Sequence, residues 1–156
     1  MALTHKLYSN SMNQIKKGGV PDLSHADTVV KVALMYQNSV PTNFAFDQTD
    51  VDWSDVSAFE CTDVDYTAGG IALTNKTVTT TGRVTKFSTS NDPNKTTFTS
   101  SGDITATHAV IYLATGVDAT SFLLACVDLD GVKSSSAGEF SITWGADGIF
   151  DTTVDA

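Results

Sequence analysis

Thr107-His-Ala-Val-Ile-Tyr-Leu113 and Phe122-Leu-Leu-Ala-Cys-Val-Asp-Leu129 are two strongly apolar runs, joined by residues 114–121, a short loop that contains Gly116. Short runs rich in aliphatic, β-branched and aromatic side chains, bounded by turn residues, fit strands better than helices. A third run, Glu139-Phe-Ser-Ile-Thr-Trp144, follows the turn sequence Ser134-Ser-Ser-Ala-Gly138. These three are the candidate central strands, and Ile111, Leu124 and Ile142 within them are candidate core residues.

Toward the N-terminus the same period of two appears from Thr28. Val30, Val32 and Leu34 share one face of a strand, and Val29, Lys31, Ala33 and Met35 share the other. After the Gly69-Gly70 turn, Ile71 and Leu73 share a face, but Val78 and Val84 fall on the opposite parity, which predicts a bulge or turn near Asn75. Residues 77–87 and 96–99 are β candidates flanking Asn91-Asp-Pro-Asn94, strong turn chemistry that predicts a hairpin. The opening differs: Leu3, Leu7, Tyr8, Met12 and Ile15 recur at three-to-four spacing, which predicts an amphipathic helix from Leu3 to Lys17. Thr4 suits its start, Leu3 and Tyr8 are placed as a hydrophobic staple, and Gly18-Gly19 followed by Pro21 ends it.

The 156 residues suit one hydrophobic core, read as a single β domain over 1–156 with 1–19 as its N-terminal helix or anchor segment. The 41% apolar and 17% charged content is that of a folded domain. The predicted class is therefore mainly β, an antiparallel β-sandwich or flattened barrel with one N-terminal amphipathic helix. No apolar run approaches the roughly 20 residues that cross a bilayer, and the first 17 residues are lysine-containing and polar, so synthesis in the cytosol and no membrane contact are expected.

A formal charge of -9 argues against nucleic acid as a partner, because phosphate neutralisation needs a concentrated basic surface. The charge is uneven. No Lys or Arg stands between Lys31 and Lys76, where Asp47, Asp50, Asp52, Asp55, Glu60, Asp63 and Asp65 fall, whereas Lys76, Arg83, Lys86 and Lys95 follow just downstream. The acidic stretch reads as a solvated loop or, on the rival reading, as a docking surface for a basic partner.

Catalytic signatures are missing: no G-x-S-x-G, no H-E-x-x-H, no phosphate loop and no dinucleotide fingerprint. Asp128, Asp130 and Glu139 have the first, third and twelfth spacing of a calcium loop, but Lys133 stands where that loop needs glycine, so Asp130-Gly131 reads as a hairpin turn and no metal or other cofactor is assigned. His5, His25 and His108 are dispersed, and His108 reads as a packed strand residue. Cys61 and Cys126 have no C-x-x-C spacing and read as free thiols, Cys126 as a small buried hydrophobe. Trp53 and Trp144 are either sugar-stacking platforms or core packing.

Five segments taken in order carry a resemblance: Asp27-Thr-Val-Val-Lys-Val-Ala-Leu-Met35, Trp53-Ser-Asp-Val-Ser57, Tyr66-Thr-Ala-Gly-Gly-Ile-Ala-Leu-Thr-Asn-Lys-Thr-Val78, Ala109-Val-Ile-Tyr-Leu-Ala-Thr-Gly116 and Lys133-Ser-Ser-Ser-Ala-Gly-Glu-Phe-Ser-Ile-Thr-Trp-Gly-Ala-Asp-Gly-Ile149. Together they resemble small virion structural proteins of tailed bacteriophages. The chain departs from that pattern at Ala58-Phe-Glu-Cys61, where a more polar turn is expected.

The resemblance implies a non-enzymatic role in the assembled particle: a capsid decoration or cement protein on the outer shell, or alternatively a neck, tail or fibre-base protein, or a host- or glycan-binding module. The implied partners are the major capsid protein and neighbouring copies of the chain, including a homo-oligomer. Leu3, Leu7, Tyr8, Met12 and Ile15 on the helix face, with Trp53 and Phe59, are the candidate partner-binding residues. For the helix face the competing reading is packing against the chain's own sheet.

Overall fold

The structure is a computed structural model that describes residues 4–18, 21–36, 44–64, 66–89, 95–99, 101–136 and 138–153, with Met12, Ile15 and Lys16 described by backbone alone. In chain order the elements are β1 Thr4–Leu7, α1 Ser9–Lys16, β2 Val30–Met35, α2 Trp53–Val56, β3 Ile71–Ala72, β4 Lys76–Thr81, β5 Val84–Thr89, β6 Lys95–Phe98, β7 Ile104–Leu113, β8 Leu123–Ser135, β9 Phe140–Thr143 and β10 Phe150–Thr153. The fold is mainly β, and every strand pair is antiparallel. A five-stranded sheet has the order β1-β8-β7-β2-β3, a three-stranded sheet β10-β5-β4, and β6 pairs with β9. Among the described residues none of them closes into a barrel.

The two apolar runs of the central hairpin become β7 and β8, the middle of the large sheet. The period-two pattern of β2 is realised in space. Val30, Val32 and Leu34 join a core that includes Phe87, Phe98, Phe140, Ile142, Trp144 and Phe150 from the smaller sheets and their flanks. Ala33 and Met35 look to the opposite side, where Tyr8, Phe44, Trp53, Val56 and Tyr112 form a second cluster. Ile111, Leu124 and Ile142 all lie in the first core. The large sheet is thus apolar on both faces, which is why β2, β7 and β8 read as nearly continuous hydrophobic runs.

Two irregularities shape the central pair. Between the pairs Ile111↔Ala125 and Tyr112↔Leu123, Leu124 is an extra residue on β8. This is a β-bulge. The Leu124 carbonyl accepts hydrogen bonds from the Tyr8 amide at 3.3 Å and the Ser11 hydroxyl at 3.1 Å, so the bulge seats the start of α1. The second irregularity lies between Ala106↔Lys133 and His108↔Asp128. There Asp130 and Gly131 take φ of 60° and 86°, the left-handed pair expected of an Asp-Gly turn. The expected hairpin is not formed by it, because the residues on both sides pair with β7 and the turn is an outgrowth of one long strand.

Several expectations need correction. The helix is shorter than Leu3 to Lys17: Thr4–Leu7 is a strand registered against Asp128 to Ala125 of β8, and only Ser9–Lys16 is helical. The sheet edge of β8 offers more hydrogen bonds to this segment than a first helical turn would, and the pairing overrides the local period. Residues 77–87 are not one strand but the β4–β5 hairpin, closed at Gly82 with φ of 62°. β5 does not pair with β6 as the turn at 91–94 suggests; β6 pairs with β9, and residues 91–94 lie outside the described residues. β9 is accordingly not a central strand. The slip near Asn75 is a turn, with Asn75 at φ 48°.

Gly70 shows why the Gly69-Gly70 turn takes no other residue. Its φ is 66°, and a Cβ there would lie 2.0 Å from the Val32 carbonyl oxygen. The turn therefore brings the chain against β2 at backbone contact and delivers Ile71 to pair with Val32.

Candidate functional site

Of the N-terminal residues expected to bind a partner, the two with described side chains, Leu7 and Tyr8, pack against the chain's own core. Tyr8 is fully buried, with its ring 4.9 Å from Phe46, and Leu7 packs against the first core while partly exposed. Leu3 lies outside the described residues, as do the side chains of Met12 and Ile15. Trp53 is buried and stacked on Tyr112, and Phe59 is half-buried, 5.9 Å from Phe44. Trp144 is buried too, its indole N–H donating to Thr96 Oγ1 at 2.7 Å, so neither tryptophan presents a face for sugar stacking.

The acidic segment is more than a solvated loop. Phe44, Trp53 and Val56 cover the second face of the large sheet, and the aspartates hold the backbone that carries them. Asp47 accepts from the Thr49 amide at 2.8 Å. Asp52 caps α2 by accepting from the Ser54 amide at 3.0 Å, while Asp55 reaches back to the Val51 amide at 2.8 Å and the Asp52 amide at 3.2 Å. This reciprocal capping stabilises a helix too short to persist alone. Asp63 accepts from the Thr105 amide of β7 at 2.6 Å. Asp65 lies outside the described residues.

Glu60 sits in the most connected polar cluster. Its Oε1 accepts from the Tyr66 hydroxyl at 2.9 Å and the Gly69 amide at 2.6 Å, and the Tyr112 hydroxyl donates to the Gly69 carbonyl at 2.6 Å. Burial raises the Glu60 carboxyl above its usual range, against the lowering effect of these hydrogen bonds and of Lys31. The cluster locks the glycine turn onto β2. Burial likewise pushes the thiols of both Cys61 and Cys126 up to about 12, and both are free and buried.

A junction that no sequence spacing announces lies where β1 meets β10. His5 Nε2 stands 3.0 Å from Asp151 Oδ1 and joins the edge of the large sheet to the edge of the three-stranded one. Beside it opens a cleft of about 330 Å³ between β1 and the Gly145–Gly148 turn, with Asp147 at its rim. Lys86 does not line it and donates to the Ala146 carbonyl at 2.6 Å. The cleft is lined by the His5 and Asp151 side chains but by no thiol, and its one side-chain hydroxyl belongs to Thr4.

Other residues singled out in the sequence stay apart. Asp128 accepts from the Asp130 amide at 2.8 Å, while Glu139 pairs with Lys95 at 3.3 Å. Among the described residues no three His, Cys, Asp or Glu converge on a common point that a metal ion would fill. His108 packs edge-on against Phe44 with centroids 5.1 Å apart, and burial holds its imidazole below the usual value, against the raising effect of Asp128. No helix is long and apolar enough to cross a membrane among the described residues. No family model matches the chain, and neither a curated protein nor a solved structure resembles it at a significant level.

Proposed function

We propose that this chain is a non-enzymatic structural protein of a tailed-bacteriophage particle, and that it decorates the outer surface of the capsid shell. The observation that carries the reading is where the five resembling segments fall. Asp27 to Met35 supplies β2, Trp53 to Ser57 supplies α2 and its capping box, Tyr66 to Val78 supplies the glycine turn, and Ala109 to Gly116 supplies the centre of β7. Lys133 to Ile149 supplies the end of β8, β9 and the buried Trp144. The residues that carry the resemblance thus build the framework, which supports a role through shape and surface.

The large sheet, with the β4–β5–β10 layer on one face and the acidic segment on the other, fits the sandwich class expected for such proteins. A domain that binds only the assembled, expanded lattice stabilises that lattice by linkage, without any chemistry of its own. Particles made without the chain should assemble but lose their DNA at lower temperature or lower salt, and adding the purified protein back should restore the tolerance. Particles equally robust with and without it would contradict the decoration role.

A further inference from the structure

We propose that the outer edge of β4 is a self-association site, pairing antiparallel with β4 of a second copy across a two-fold axis. The inference rests on the strand edges themselves and stands apart from the virion reading. β4 runs Lys76-Thr-Val-Thr-Thr-Thr81 and has β5 as its neighbour on one side and no described strand on the other. Its side chains from Val78 to Thr81 are exposed.

Proteins guard exposed edges with short strands, charges, prolines or a covering element, because an open row of amides and carbonyls templates another strand. The other edges of the two larger sheets are guarded here. β3 has two residues. β1 carries His5 and Lys6 and abuts β10 through the His5–Asp151 pair. Among the described residues no strand covers β4, and the strand itself has no proline, no bulge, and Lys76 at one end as its one charge. Its four threonines and one valine are strong strand formers.

The ladder fixes which groups face outward. The two-residue turn at Gly82-Arg83 closes on the pair Thr81↔Val84, so Thr81, Thr79 and Thr77 exchange hydrogen bonds with β5. The amides and carbonyls of Lys76, Val78 and Thr80 then point away from β5. A two-fold axis through Thr79 sets Thr79 against Thr79, Val78 against Thr80 and Thr77 against Thr81 of the second copy. Outward-pointing groups meet outward-pointing groups, the core-facing sides stay aligned, and Lys76 lands opposite Gly82, so no like charges are directly opposed. This self-complementarity is what selects a second copy over an unrelated strand, and the isologous contact closes at two copies. Val78, 41% exposed at the edge, gains a neighbour.

The test is sedimentation of the full chain over a wide concentration range at low and at physiological salt. Pairing predicts a reversible dimer that tightens as salt rises, because two copies of charge -9 repel less when screened. Thr79→Glu faces Lys86 of β5 within its own chain but puts like charges face to face across the axis, and Thr80→Pro removes one outward amide while leaving the β4–β5 backbone ladder intact. Each should weaken the dimer by about tenfold or more with the far-ultraviolet spectrum of the monomer unchanged, and Thr79→Glu should leave its melting curve unchanged as well. Thr79→Glu lies on an exposed face, where Lys86 can pair with it, and keeps the test valid should the proline variant fold poorly. A chain that stays monomeric at every concentration, an oligomer that weakens with salt, or one that neither substitution disturbs would overturn the proposal.

Discussion

The indole of Trp53 lies flat on the phenol ring of Tyr112, with centroids 4.3 Å apart and planes 13° from parallel. Tyr112 stands on β7 and Trp53 opens α2, so the stack fastens the acidic segment to the second face of the large sheet. Replacing Trp53 by Ala removes the ring and opens a cavity, and should cost about 3–5 kcal/mol in urea unfolding, while Trp53→Phe keeps part of the stack and costs less. Ile111→Ala, Leu124→Ala and Ile142→Ala, each in the first core, should cost about 2–5 kcal/mol. Variants that melt with the parent would show that the core is misplaced.

Tyr8 is fully buried, and among the described residues its hydroxyl has no oxygen or nitrogen partner and meets only the weakly accepting Cys126 thiol. A buried hydroxyl left unpaired costs about 1–3 kcal/mol, so Tyr8→Phe should leave stability unchanged or raise it by about 1 kcal/mol, whereas Tyr8→Ala should lower it strongly. Removing residues 1–17 takes away β1 and uncovers β8, and should destabilise the isolated protein. A truncated chain as stable as the parent would instead favour a detachable anchor.

The acid limb of the stability curve should carry the mark of His108. Its imidazole in the folded state lies below its usual value near 6.5, chiefly through burial, so the unfolded chain binds the proton more tightly. The stability it contributes is therefore complete above that value and is lost as pH falls through the window beneath it. Glu60 has the opposite sign: its folded carboxyl is raised above the usual 4.5 by burial, so its contribution is present below that value and lost as pH rises through the raised one. Urea midpoints should fall less between about pH 7 and about pH 5 in His108→Gln than in the parent, and Glu60→Gln should gain stability relative to the parent at neutral pH. Equal slopes for parent and His108→Gln would contradict the assignment.

Much of this architecture is legible in sequence wherever a strand is paired on both sides and apolar on both faces. β2, β7 and β8 are such strands, and the alternation of Val30, Val32 and Leu34 against Ala33 and Met35 is reproduced in the two cores. Elements defined by distant partners are not legible. Thr4–Leu7 follows a helical spacing yet is held as a strand by β8, more than a hundred residues later. Lys95–Phe98 finds Phe140–Thr143 and not the hairpin partner its flanking turn suggests. In the acidic segment, Phe44, Trp53 and Val56 are scattered among aspartates at no simple period, so a sheet-covering layer passes for a solvated loop. The His5–Asp151 junction joins residues from the two ends of the described chain and has no local signature.

Both thiols should be silent toward thiol reagents in the native state. Cys61 and Cys126 are 3% and 2% exposed, and burial suppresses their thiolates. Reaction with a disulfide reagent should therefore track unfolding and release two equivalents only in denaturant. Rapid labelling under native conditions would show that β8 or the Cys61 turn opens locally.

Imaging of purified particles, with the copy number of this chain set against that of the major shell protein, tests the central claim most directly. Decoration of the shell predicts density for the chain spread over the outer capsid surface, in numbers comparable to the shell subunits. Density confined to the portal vertex or the tail, or a copy number amounting to a single ring, would contradict it.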